Sequence, residues 1–96
     1  MTKCKIKIVH DRRETFVNGK EVHLANAEYK ILYALMETNR VMTRPELGEL
    51  LGYEKERFEL SNRVIDQHVA RIRRKLHCCR SAVKTVPSVG YKYVKL

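Results

Sequence analysis

In the stretch RVIDQHVARIRRKL, residues 63–76, the aliphatic residues Ile65, Val69, Ile72 and Leu76 recur at spacings of four, three and four. At 100° per residue they share one narrow arc, so the segment reads as an amphipathic α-helix with that stripe buried. The opposite direction carries Arg63, Gln67, Ala70, Arg71 and Arg74, with Asp66 and Arg73 on one flank and His68 and Lys75 on the other. A merely solvated face ordinarily mixes both signs at i,i+4, because pairs stabilise the helix and like charges repel. This face gathers arginines without an acid among them, which suits a partner that neutralises them. Arginine can pair in bidentate fashion with guanine O6 and N7, glutamine with adenine N6 and N7, and Ala70 leaves room to approach a thymine methyl. The face is expected to bind double-stranded DNA.

The charge distribution points the same way. The chain has 96 residues, with 20 Lys and Arg against 11 Asp and Glu. Residues 1–60 hold 11 basic and 10 acidic residues, whereas residues 61–96 hold 9 basic residues and a single acid, Asp66. Nearly all the excess charge sits in the last third, a field suited to nucleic acid and less so to an anionic membrane surface. The length predicts one domain, residues 1–96, with a single modest core.

Cys4, Cys78 and Cys79 are odd in number and lack C-x-x-C spacing. A zinc site from His68, His77, Cys78 and Cys79 has no recognised ligand spacing, so neither a metal nor a cofactor is expected. Free thiols in a reducing cytoplasm are the simpler expectation. There is no signal peptide, and no apolar run approaches the roughly twenty residues of a membrane span.

Along the chain, Cys4 to Ile8 alternates apolar and basic residues and reads as a strand. Thr15-Phe16-Val17 and Glu21-Val22-His23-Leu24 flank Asn18-Gly19, the pair that a two-residue type I′ hairpin turn favours. An N-terminal antiparallel sheet over residues 1–25 follows. Helical periodicity then begins at Asn26, a plausible N-cap, and runs to about Asn39. Thr43-Arg44-Pro45-Glu46 carries a capping box for a second helix, which Gly52 ends. Tyr53 to Leu60 is charged and reads as a loop, and Ser61 or Asn62 caps the third helix within the helical region 26–77. The strands Ala82–Val86 and Tyr91–Val94, joined through Pro87-Ser88-Val89-Gly90, form a hairpin over 82–96. The fold class is α+β: a winged helix-turn-helix with an N-terminal antiparallel sheet, three helices and a C-terminal β-hairpin wing.

From Arg63 to Leu76, at Thr85-Val86 and at Gly90-Tyr91-Lys92-Tyr93, the chain resembles the OmpR/PhoB-type winged-helix domain, the DNA-binding half of many bacterial response regulators. Leu24, Glu28-Tyr29 and Ile31-Leu32 add to the likeness, which covers roughly residues 5 to 94. The resemblance implies a transcription regulator whose third helix enters the major groove and whose hairpin reaches toward the minor groove. On matching positions, Arg63, Gln67, Ala70 and Arg71 would face bases, and His68, Arg73, Arg74 and Thr85 mainly phosphate and sugar. The segment with Tyr53, Glu54, Glu56 and Glu59 matches a connection that contacts RNA polymerase in some members.

The chain departs from the pattern in three places. Pro87-Ser88 stands where the wing usually has Arg-Gly, leaving Lys84 or Lys92 to supply charge. Ala25 replaces the usual threonine cap, and no receiver domain is present. A start at Met1 favours a stand-alone regulator, of a mobile element or phage, over an excised fragment.

Other residues have blander expectations. His68 is as well explained by a half-buried, hydrogen-bonded ring as by a phosphate contact, and Asp66 by an orienting pair with Arg73 or Arg63. Tyr91 and Tyr93 read as packing residues rather than base-stacking platforms. Function then divides between sequence-specific DNA binding, as two copies on repeated half-sites, and a protein-interaction module for RNA polymerase or another regulator with non-specific DNA affinity. An enzyme is not expected, for want of a Gly-rich phosphate loop, H-E-x-x-H or a nucleophile–base pairing.

Overall fold

The hairpin at Asn18-Gly19 forms as its sequence demands: both residues have positive φ, 51° and 82°. In the computed structural model, which describes residues 4–52 and 58–95, it joins β2 (Glu14–Val17) to β3 (Lys20–Val22) in register Val17 opposite Lys20. β1 (Ile6–Val9) pairs antiparallel with the other edge of β2, giving the sheet order β1-β2-β3. A 3-10 turn at His10–Arg12 links β1 to β2. Its His10 stacks on Tyr33, with ring centroids 4.1 Å apart, and shares a 2.8 Å hydrogen bond with the Tyr29 hydroxyl.

α1 spans Asn26–Thr38, and its N-cap is Ala25 rather than Asn26. The Glu28 carboxylate accepts from the Ala25 N–H at 3.2 Å, satisfying one of the orphan amides that every helix start exposes. Asn26 is instead the first helical residue, and its side-chain oxygen accepts from Arg13 at 2.6 Å. Asn39 ends α1 in the left-handed conformation at φ 51°. The capping box of α2 (Arg44–Leu50) is present in both directions: Glu46 N–H to Thr43 Oγ1 at 3.2 Å, and Thr43 N–H to Glu46 Oε1 at 3.1 Å. Gly52 follows at φ 84°.

α3 spans Phe58–Leu76, so Ser61 and Asn62 lie within it rather than at its N-cap. The charged residues before it disguised its start, because they lack an apolar stripe. A 3-10 segment, His77–Ala82, carries the chain to β5 (Val83–Val86) and β6 (Gly90–Tyr93). Pro87 and Ser88 form the connecting turn, with Ser88 at φ 63° and Val89 N–H bonded to Val86 O at 3.0 Å. Val94 falls just beyond β6. The hairpin gains a third strand not expected from the sequence, β4 (Met42–Thr43), which pairs with β6 in the order β4-β6-β5.

The core lies where these elements meet. Ile31, Leu32 and Leu35 of α1, Leu47 of α2, and Ile65, Val69, Ile72 and Leu76 of α3 are all fully buried, joined by Val17, Val83 and Tyr91 from the two sheets. Each such side chain contributes about 1.5–3 kcal/mol relative to exposure. The four α3 residues are those of the 4-3-4 stripe, and their burial fixes which face of α3 points outward.

Candidate nucleic-acid interface

With Ile65, Val69, Ile72 and Leu76 facing inward, helical geometry turns Arg63, Gln67, Ala70, Arg71 and Arg74 outward, and all five are exposed. Among the described side chains, no acidic one interrupts them. Asp66, the one acid of the described part of α3 beyond residue 61, is drawn aside toward α2 and the wing. Its carboxylate accepts from Arg44 Nε at 2.8 Å and from the Tyr91 hydroxyl at 2.5 Å. The partner expected for it was Arg73 or Arg63; the structure supplies Arg44 instead, because the start of α2 abuts the middle of α3. Burial alone would raise the Asp66 pKa, but the bonds from Tyr91 and Arg44 outweigh it and hold the carboxyl below its ordinary value. Burial and the same carboxylate push the Tyr91 hydroxyl up, so it stays a donor.

Arg73 is committed to the wing. Its Nε donates to Val83 O at 3.0 Å and its Nη2 to Thr85 Oγ1 at 2.6 Å, while its guanidinium lies 5.5 Å from the Tyr91 ring centroid. Two residues expected side by side on phosphate, Arg73 and Thr85, are thus bonded to each other. Arg74, by contrast, projects from the exposed face. His68 is half-buried on the flank, and desolvation, followed by the nearby Arg71 charge, lowers its pKa and favours the neutral ring. Lys84 and Thr85 are exposed on β5, and Lys92 is half-buried opposite Lys84 on β6. Tyr91 is buried and Tyr93 half-buried, which fits packing.

On the other flank, Lys75 donates to Glu28 Oε1 at 2.6 Å and fastens α3 to the start of α1. Glu28 is only 2% exposed. Burial raises its pKa, but the hydrogen bonds from Lys75 and the Ala25 amide outweigh that and leave it lowered. Neither Arg44 nor Lys75 was singled out from the sequence; each is one of many surface cations until the fold brings its carboxylate across.

The segment expected to face RNA polymerase lies outside the described residues at Tyr53, Glu54 and Glu56; of Glu59 only the backbone is described, in the first turn of α3. Among the described residues, no helix is long and apolar enough to cross a membrane. The cysteines depart from expectation: Cys4 and Cys79 form a disulfide with a Cα–Cα distance of 5.5 Å, and only Cys78 is free. Sequence spacing could not show it, since the sheet carries Cys4 across 75 residues to the end of α3.

Residues 19–93 match the family described as "Transcriptional regulatory protein, C terminal". The chain is 36% identical over 94 residues to the transcriptional regulatory protein ResD of Bacillus subtilis, covering 92% of this chain and 38% of ResD. It is 35% identical, with the same coverage, to the transcriptional regulatory protein SrrA of Staphylococcus aureus. The chain thus spans about two fifths of the length of these relatives. Its structure is similar to the response regulator AdeR DNA-binding domain, solved in complex with an intercistronic region, with a TM-score of 0.79, 26% identity and 95% of each chain covered. It is also similar to the response regulator DrrB of Thermotoga maritima, an OmpR/PhoB homologue, with a TM-score of 0.78 and 31% identity over 93% of this chain and 41% of DrrB.

Proposed function

Since the chain belongs to the transcriptional regulatory protein C-terminal family, the OmpR/PhoB type of winged-helix DNA-binding domain, we propose that it is a cytoplasmic transcription regulator that reads a specific double-stranded DNA sequence. The family is one of DNA-binding domains, not of enzymes. The observation that carries the reading is the outward face of α3, where Arg63, Gln67, Ala70, Arg71 and Arg74 stand together with no acid among the described side chains. A face of that width and chemistry fits the major groove.

In this reading Arg63, Gln67, Ala70 and Arg71 meet base edges, and Arg74 and His68 meet the backbone. Lys84, Thr85 and Lys92 place the wing on the neighbouring phosphates. Arg73 acts at one remove, holding Thr85 and β5 against α3. Asp66 contributes by being occupied: bound to Arg44 and Tyr91, it offers no repulsion to phosphate. Two copies bind repeated half-sites about one helical turn, roughly 10–10.5 bp, apart.

Selection of bound sequences from random duplex DNA, followed by affinity measurements across salt for the selected site and a scrambled control, tests this. A repeated motif and a large ratio of affinities are expected. Equal affinities sharing one steep salt slope would mean generic phosphate attraction. The second reading, a protein-interaction module for RNA polymerase or another regulator, would then stand in its place. What favours that reading is the wing tip, where Pro87 and Ser88 are exposed and offer no cation to the minor groove.

A further inference from the structure

Three sulfurs from opposite ends of the chain converge at the base of α3. Cys78 Sγ lies 3.8 Å from Cys79 Sγ, Cys79 is joined to Cys4, and all three sulfurs lie within 4.8 Å of one another. Among the described residues this is the only such cluster of histidine, cysteine or carboxylate ligand atoms. The Asn18 side-chain amide N–H group faces two of the sulfurs, 3.6 Å from Cys78 and 3.9 Å from Cys79, while its oxygen accepts from the Lys5 N–H at 2.9 Å. The amide that shapes the β2–β3 turn is therefore also a fixed donor toward the cluster, the kind of outer partner that orients thiolate ligands. Cys78 is exposed and opens onto a groove lined by His23, Arg74, Lys75 and His77.

From this convergence of Cys4, Cys78 and Cys79 we infer a three-thiolate binding site for a soft monovalent ion of the copper(I) class. With metal–sulfur bonds of about 2.3 Å, three sulfurs in a plane around one ion stand about 4 Å apart, close to the Cys78–Cys79 separation. Ion identity follows from ligand type and number. Thiolates select copper(I) and zinc among common ions, and a structural zinc site takes four ligands. Here the described residues offer three. The copper complex carries two negative charges; Lys20 and Arg74 line the groove with one acid, Glu21, while Lys75 is already held by Glu28.

Disulfide and metal exclude each other at this site. A thiol reductant first opens the Cys4–Cys79 bond: two of its thiols are oxidised to a disulfide, and their electrons and protons leave Cys4 and Cys79 as thiols. One copper(I) ion then displaces the S–H protons of the three thiols into solvent as three metal–sulfur bonds form. The two former disulfide sulfurs must separate to accommodate the ion, a motion that side-chain rotation of Cys4, half-buried at the sheet edge, can provide.

The test is a titration of the chain, reduced with a phosphine that is then removed, with copper(I) under nitrogen against the chromophoric chelator bicinchoninate. The native chain should withdraw one equivalent from the chelator. Cys78→Ser, at an exposed position that leaves the core intact, should hold copper at least about tenfold more weakly. Copper should raise the thermal midpoint of the reduced native chain, because the ion is bound by the folded form, and raise that of Cys78→Ser less. The inference is overturned if the native chain leaves all copper with the chelator, if Cys78→Ser competes as well as native, or if zinc alone is retained.

Discussion

The Tyr91 hydroxyl donates to Asp66 Oδ1 at 2.5 Å, so the wing strand β6 is bonded to the middle of α3. Tyr91 is buried to 4% exposure, and its ring also lies 5.7 Å from the Arg44 guanidinium and 5.5 Å from that of Arg73. One residue of the wing thereby gathers the helix-turn-helix and fixes where the wing stands relative to α3. Tyr91→Phe keeps the ring and removes the bond. It should cost about 0.5–1.5 kcal/mol in urea unfolding. In a double-mutant cycle with Asp66→Asn, the two losses should be non-additive; strict additivity would show that the bond contributes nothing beyond its neighbours.

Glu28 and Lys75 make a pH-dependent fastening. The folded pKa of Glu28 is lowered, so its contribution is fully present above the ordinary carboxylate range and is lost as pH falls through the lowered folded value. Lys75→Met leaves the buried carboxylate without its cation and should destabilise the domain by about 1–3 kcal/mol near neutrality. Below the carboxylate range the difference from native should shrink, because Glu28 is then protonated in both. Denaturant melts at neutral and acid pH read this directly, and an offset that did not change with pH would refute it.

Gly90 is required by packing rather than by its backbone angles. A Cβ there would overlap the backbone of the neighbouring strand, standing 2.8 Å from Thr43 Cα, 2.9 Å from Met42 C and closest of all to the Met42 carbonyl oxygen. Backbone cannot yield as a side-chain tip can, so Gly90→Ala must part β4 from β6. The expected loss is about 1–3 kcal/mol or more. A thermal midpoint within a degree of native would disprove the close crossing.

For DNA, the proposed reading gives two exposed arginines different roles. Arg71→Ala should relax discrimination at one base pair of the selected site, by about 1–3 kcal/mol, leaving non-specific affinity nearly intact. Arg74→Ala should weaken all duplexes about equally and reduce the salt slope by about one. Uniform losses from both variants would show that the two do not divide base from backbone contacts.

What the sequence revealed and what it hid follow from the range of the interactions. The Asn18-Gly19 turn, the Thr43–Glu46 box and the 4-3-4 stripe of α3 are local, set by residues within one or two turns, and each formed as expected. The two-residue strand β4 is too short to show a period. The start of α3 reads as a loop in the sequence, since Phe58 to Leu60 carry no helical pattern of their own. Sequence proximity points Asp66 toward Arg63 and Arg73, but its partner Arg44 lies 22 residues away on another helix. The Cys4–Cys79 bond needs the first sheet docked against the end of α3 before the two can meet. On α3 the sequence already distinguished the exposed arginines from the buried aliphatics and set Arg73 on a flank apart from Arg74, but not that Val83 and Thr85 of the wing engage Arg73.

Thr43 is the last residue of β4, opposite Gly90, and its hydroxyl caps α2. A single residue is therefore both a rung of the wing sheet and the first fitting of the helix-turn-helix. No residue of linker separates the hairpin's third strand from α2. On the proposed reading, wing and α2 would meet a duplex as one piece, and sites that bend cheaply would gain an advantage that no base contact records.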